Sequence, residues 1–493
     1  MDNNWIKNEF DLVSLGDERL NKRLKQIVQR VSESPESTIN HACNDWAETK
    51  AAYRFFSNDT IDYKKILEGH IQSTKARCLK NSAVLVIQDT TYFNYTSHPK
   101  TKGLCALSRN RGKHKEKVET LGLLMHSSLA ISTDGEPLGL LDQKIYSRPL
   151  ISEEKKKIKL SSHNTSLPIE EKESFRWLEL LRSNHKLNFP STSKIITICD
   201  READIYELFK LSNDIEMPVL VRAGQNRKVN KTSTHSEKTG EQLWTFIHKQ
   251  PVIGRIQIKV PEKDNTPERI ATLSIRFNNF MMNPPKSKTA GDSSFKLYAI
   301  HLVEEHSPKN IEPIEWLLLT NLTVENFEDA LEKIKWYCLR WRIEIFHKVL
   351  KSGIKVEDCR LSTSARLIRY LAISSVIAWR ILWLTLIART KPDMNCNIFL
   401  SETEWKILFI KNFKKSKIPN ITPNIKECVI WIAKLGGFLA KKNDKNPGIT
   451  HIWRGLKKFC DILEGAALAK VMGNIKVSRQ RSYFWLYVSR PQT

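Results

Sequence analysis

The chain has 493 residues, 41% hydrophobic and 27% charged, a balance that excludes a wholly disordered, collagen-like or fibrous protein. Its 79 Lys and Arg outnumber its 54 Asp and Glu, giving a formal charge of +25, which points first to a polyanionic partner, nucleic acid above all. Nine Cys run from Cys43 to Cys460 without a C-x-x-C pair, which excludes a disulfide framework or zinc ribbon and favours a reducing cytoplasm or nucleoid.

The opening MDNNWIKNEFDL is polar and acidic, without the apolar run of a secretory signal. Residues 1–75 read as helical. Leu15, Leu20, Leu24, Ile27, Val28 and Val31 fall near helical spacing, with Arg19, Lys22, Arg23 and Lys25 among them. In DWAETKAAYRFF, Lys50 and Arg54 lie one turn apart. Basic residues on short amphipathic helices suit DNA contacts, and equally a solvated helix face.

At Ser82 the pattern changes. AVLVIQ is a continuous apolar run predicted as a buried strand ending at Asp89. LGLLMHSSLAIS and GEPLGLLDQKIY predict two strands about a turn at Asp134–Gly135. Residues 153–166, charged and Ser-rich, predict a surface loop. KESFRWLELLRS predicts a helix, KIITIC a strand ending at Asp200, ADIYELFKL a helix and MPVLVRA a strand. Strands and helices alternating in this way predict an α/β layer with a mixed sheet.

From about 223 to 310, RIQIKV, ATLSIRF and FKLYAIHLV alternate like exposed antiparallel strands, predicting a β-rich insertion. EWLLLT returns to a buried strand, and one long helix is predicted from about Asn326. The remainder reads as mostly helical. Leu371–Ala388 is long enough to span a membrane, but Arg380 stands in its middle, so a buried core helix is the expectation. No internal repeat is present.

Three acids stand out. Asp89 and Asp200 each follow an apolar strand, where α/β proteins place their sites, and Glu344 lies on the long helix. Carboxylates without a His/Cys cluster suit Mg²⁺. Each Asp could equally cap a helix or a turn. On the helix, Tyr337, Arg340, Glu344 and Lys351 sit at i, i+3, i+7 and i+14, within roughly 60° of arc. Lys348 and Trp341 flank that stripe. It reads either as an acid holding a metal among phosphate-binding cations or as a salt-bridged surface helix.

The spacing Y-(2)-R-(3)-E-(6)-K at Tyr337, Arg340, Glu344 and Lys351 resembles the YREK signature of the bacterial insertion-sequence family 4 transposases, the group that includes the transposon-five transposase. VIQDTTYFNY around Asp89 and CDREADIYE around Asp200 resemble its aspartate motifs. LGDERLNKR and TKAAYRFF resemble its N-terminal DNA-binding region, and KES-x-RW and LGGF recur as in the family. The likeness runs from about residue 5 to 465.

The resemblance implies an RNase H-like core with a β-rich insertion between the second Asp and the Glu, flanked by helical N- and C-terminal domains. It implies a DNA-binding domain over 1–75, a core over 76–222 and 311–372, the insertion over 223–310, and a dimerisation region over 373–493. Asp89, Asp200 and Glu344 would be the catalytic and metal-binding triad, holding two Mg²⁺ that Mn²⁺ would replace. Tyr337, Arg340 and Lys351 would bind DNA, with Lys348, Arg222, Arg19, Lys50 and Arg54 as further contacts. Trp316 would stack on a flipped base, or equally be a core Trp. Ile345 departs from relatives that carry a second acid there.

The implied activity is cut-and-paste transposition by a homodimer: binding of the terminal inverted repeats, 3′ nicking, hairpin formation and resolution, and strand transfer into target DNA. The expected location is the bacterial cytoplasm, at the nucleoid, with no membrane partner. A transposase-derived DNA-binding regulator without activity, and an RNase H-like nuclease without strand transfer, are the competing readings.

Overall fold

Side-chain alternation along the first strand sets the layering. The computed structural model describes residues 4–111, 117–148, 167–230, 241–260, 267–285, 293–414, 418–441 and 444–471. The loop predicted over 153–166 lies outside them. Strand β1 (Ala83–Asn94) is followed by β2 (Cys105–Arg111), β3 (Lys117–Ser132), β4 (Pro137–Tyr146), β5 (Lys194–Cys199) and β6 (Val219–Arg222). Then come β7 (Lys228–Asn230), β8 (Glu241–Gln242), β9 (Gly254–Val260), β10 (Arg269–Met282), β11 (Phe295–Glu304) and β12 (Glu315–Thr320).

These strands form one mixed sheet in the order β2-β3-β1-β5-β6-β12-β11-β10-β7-β8, with β4 on β3 and β9 on β10. β1, β5 and β6 are mutually parallel; β3 and β12 flank them antiparallel. The β3–β4 turn falls at Asp134–Gly135, where Gly135 takes φ +88°, a conformation that favours glycine.

The helices are α1 (Asn4–Phe10), α2 (Glu18–Glu33), α3 (Ile39–Ala42), α4 (Trp46–Phe56) and α5 (Tyr63–Cys78) before the sheet. Within it lie α6 (Phe175–Lys186), α7 (Tyr206–Asp214) and α8 (Leu243–His248). After it come α9 (Phe327–Cys338), α10 (Trp341–Lys348), α11 (Ser364–Thr390), α12 (Glu402–Phe413), α13 (Ile425–Leu435) and α14 (Ile449–Val471).

Leu85 and Ile87 of β1 join one core with α11 and the N-terminal helices, while Val84 and Val86 join another with Trp177 and Leu181 of α6 and Phe209 of α7. The parallel strands are therefore buried on both faces, which is why they read as continuous apolar runs. α11 is long and apolar enough to cross a membrane, yet 89% of its apolar window is buried inside the molecule. Its charges are absorbed. Arg369 donates to the carbonyls of Phe56 and Ile61, and the Arg380 guanidinium lies 4.5 Å from the Trp5 ring centroid and 4.6 Å from that of Phe399.

Several expectations are corrected. Strand β2 is not predicted from the sequence, because CALSRNR has little apolar character; it pairs with the first residues of the long β3. The insertion strands are not all exposed: β10 and β11 continue the main sheet through β12 and contribute to both cores, and of the three strands expected there β9 keeps the alternating exposed pattern. β1 does not end at Asp89. It pairs with β3 as far as Asn94, while its pairing with β5 stops at Ile87–Ile198.

The long helix from Asn326 is also three pieces. Leu339 and Arg340 tighten to i→i−3 bonds between α9 and α10, and Val349–Gly353 forms a π turn. α11 runs unbroken through residue 373.

Candidate active site

The parallel register of β1 and β5 carries Asp89 and Asp200 to the same level of the sheet, two residues beyond Ile87 and Ile198. At that point β5 gives way to a short 3₁₀ turn over Arg201–Ala203, and the Asp200 side chain caps it by accepting the Glu202 N–H at 2.9 Å. Burial, and then the Asp200 charge, push the Asp89 carboxyl up to about 7; Glu344 adds a smaller push and Arg340 opposes it. Asp200 and Glu344 thus both act on Asp89, the three coming from separate elements. A buried acid beside two others is costly unless a cation joins them. The all-oxygen donor set fits a hard divalent ion such as Mg²⁺.

Glu344, on α10, accepts from Arg340 Nη2 at 2.6 Å. From Arg340 a stack of cations and rings leads away. Its guanidinium is 5.9 Å from the Tyr337 ring, Tyr337 meets Trp316 edge-on at 5.5 Å, and Arg222 lies 5.7 Å from Trp316. Arg222 ends β6 and donates to the Glu315 carbonyl at 3.2 Å. Trp316 is half-buried, so it is neither a wholly buried core Trp nor a free one.

The remaining predicted residues divide. Lys351 sits in the π turn, its ammonium 4.4 Å from the Tyr92 ring centroid near the end of β1. Lys348 is exposed on α10, next to buried His347. Arg19 on α2 and Lys50 and Arg54 on α4 are exposed; among the described residues none bonds to the acidic cluster, and Arg19 pairs with its own helix cap, Asp17.

Three supports escaped the sequence reading. Arg176 of α6 donates to Thr90 Oγ1 at 2.9 Å and to Glu202 at 2.5 Å, joining the residue after Asp89 to the turn after Asp200. Its motif, KES-x-RW, was visible, but the contacts span 86 and 26 residues. His347 Nδ1 lies 3.8 Å from Asp89. Burial, and then Lys351, lower its pKa to about 3, so this is a neutral imidazole beside an acid and not an ion pair. Asp204, in the same motif as Asp200, is fully used in structure: it accepts the N–H groups of Gly224 and Gln225 and pairs with Arg227.

The sequence shows no His/Cys cluster, but the structure brings together two histidines and an acid, His248, His301 and Glu315. These residues come from α8, β11 and β12, and no spacing rule connects them.

Two family models match the ends of the chain. Residues 2–61 match the Transposase DNA-binding model, and residues 376–475 match the Transposase Tn5 dimerisation domain. The two ends of the chain are thus similar to the DNA-binding and dimerisation regions of Tn5-like transposases. Arg19, Lys50 and Arg54 fall within the first match, and most of α11 together with α12 to α14 within the second. The acidic cluster lies between the two matched regions in the chain, on the sheet and on α10.

Proposed function

We propose that the chain is an active DDE transposase catalysing cut-and-paste DNA transposition, with Asp89, Asp200 and Glu344 as its catalytic triad. The observation that carries this is the register of β1 and β5, which sets Asp89 and Asp200 at one level of the sheet, where Asp200 and Glu344 both raise the Asp89 carboxyl, in a chain whose ends match transposase DNA-binding and dimerisation regions. The β3-β1-β5-β6 order, antiparallel then parallel, supports an RNase H-like core formed from residues 76–222 and 311–372, interrupted by the insertion.

Asp89, Asp200 and Glu344 would hold Mg²⁺, whose chemistry when bound is activation of the attacking oxygen and stabilisation of the leaving one at phosphorus. The chain's own residues do the rest. Tyr337 and Arg340 bind the phosphates of the transposon end. Arg340, held by Glu344 in the free protein, exchanges that partner for DNA. Trp316 stacks on a base drawn out of the duplex as the hairpin forms, with Arg222 across its ring. Lys348 and Lys351 hold the backbone farther along.

Exposed Arg19, Lys50 and Arg54 read the end repeats, and the region from 373 joins two copies into a homodimer on DNA. The same centre serves nicking, hairpin formation, hairpin opening and joining to target, since each is a displacement at phosphorus. The cytoplasmic nucleoid is the setting we assign, with no membrane partner.

The test is incubation of the full chain with a labelled DNA fragment carrying one end of the element that flanks its gene, in Mg²⁺. A 3′ nick followed by a hairpin on denaturing gels is the expected result. Specific binding without a nick, in Mg²⁺ and in Mn²⁺, would overturn it in favour of an inactive DNA-binding regulator.

A further inference from the structure

The hairpin of β11 and β12 carries a second group of ligand atoms, separate from the triad. His301 and Glu315 are diagonal neighbours on one face, since Val303 pairs with Glu315 and His301 with Leu317. His248 reaches them from the end of α8. His301 Nε2 lies 2.7 Å from Glu315 Oε1 and His248 Nε2 3.4 Å from the same oxygen, and the three ligand atoms all lie within 4.8 Å of one another. The imidazoles meet edge-to-face at 4.6 Å.

The donor set decides the chemistry. Two imidazole nitrogens and a carboxylate oxygen suit a borderline-soft ion, whereas Mg²⁺ prefers oxygen alone. Tetrahedral zinc at about 2.0–2.1 Å from each ligand needs ligand atoms about 3.3 Å apart. The His248–Glu315 pair already has that spacing, and the His301–Glu315 pair needs to open by about 0.6 Å. His301 is fully buried, while His248 is 48% and Glu315 36% exposed, so solvent can supply a fourth ligand. Arg276, opposite His301 on β10, adds positive charge nearby and limits the affinity.

We propose that His248, His301 and Glu315 bind one zinc-class divalent ion, which clamps α8 to the start of β12. Glu315 is the residue before Trp316 and its carbonyl already receives Arg222, so the clamp fixes the strand end that carries the stacking Trp. The binding claim does not depend on the proposed transposition chemistry.

The test uses the full chain, stripped with a chelator and titrated with Zn²⁺ alone against a chromophoric competitor. One ion per chain is expected, its affinity weakened at least about tenfold in His248→Ala and in Glu315→Gln but kept in Asp200→Ala. Thermal unfolding gives a second readout: Zn²⁺ raises the melting temperature of the wild-type chain and not of His248→Ala, whose half-exposed side chain leaves the fold intact. No Zn²⁺ binding by the wild-type chain, equal binding by His248→Ala and Glu315→Gln, or loss of the ion in Asp200→Ala would each overturn the proposal.

Discussion

Asp89 shows how much one position depends on its neighbours. Inside a strand, beside Asp200 and within reach of Glu344, its carboxyl is pushed up to about 7, first by burial. Arg176 touches none of the three acids, yet it bonds to both segments that present the aspartates. Arg176→Ala is expected to slow cleavage at least about tenfold while end binding holds; single-turnover kinetics read this, and an unchanged rate would remove the positioning role. Trp316→Ala is expected to slow hairpin formation by about tenfold or more while nicking is little changed, because base stacking is worth about 1–3 kcal/mol. Equal slowing of both steps would exclude base stacking.

The two aspartates were legible because each follows an apolar run that only a buried strand explains. The roles of Arg176, Asp204 and the His248–His301–Glu315 group were not, since they arise from contacts between residues far apart in the chain.

At the scale of elements, the YREK stripe is less regular than a single helix. The tightened turn at Leu339–Arg340 and the π turn at Val349–Gly353 leave Tyr337, Arg340 and Glu344 together and carry Lys351 to Tyr92. Spacing alone gives no sign of either break, because neither contains Pro and the apolar face continues through both.

The first helix is held by a buried polar group that charge patterning did not reveal. Leu140 N–H donates to His70 Nε2 at 3.0 Å, so Nδ1 carries the proton and donates to Glu9 at 2.5 Å; Glu9 also accepts from Arg77. Burial keeps His70 neutral by lowering its pKa. Burial alone would raise Glu9, but His70 and Arg77 outweigh it and lower its carboxyl to about 2. Both groups bind fewer protons folded than unfolded, so stability rises with pH through both ranges. Acidification is therefore expected to lower stability from about pH 6.5 as His70 is forced to charge, and again from about 4.5 toward 2 as Glu9 protonates. Denaturant midpoints against pH check this, with Glu9→Ala losing about 3 kcal/mol at neutral pH. A midpoint flat between pH 7 and 5 would contradict the role of His70.

Gly139 marks another such join. At φ +141° its added Cβ would stand 2.0 Å from Thr74 Oγ1, so Gly139→Ala is expected to lower the melting temperature by driving α5 from β4; a temperature within about a degree of wild type would mean that α5 can shift at little cost.

For the whole molecule, the core on one face of the sheet holds residues of both matched end regions together with Ile87 and Ile198, which precede the two aspartates on their strands, and a second core covers the other face. Composition gave the class of partner and the apolar runs gave the mixed sheet. The continuity of the insertion with that sheet was hidden, because each of its strands taken alone reads as partly exposed. The net charge of +25 makes DNA affinity fall steeply with salt. Lys50→Ala and Arg54→Ala are each expected to reduce the slope of log affinity against log salt by about one; an unchanged slope would take α4 off the DNA.

The most direct measurement of the central claim, that three carboxylates form one cleavage centre, compares Asp89→Ala, Asp200→Ala and Glu344→Ala with the wild-type chain on labelled end DNA, reading cleavage and end binding together. Each variant is expected to bind the end as wild type does and to cut nothing. Cleavage surviving in any one of the three would contradict it.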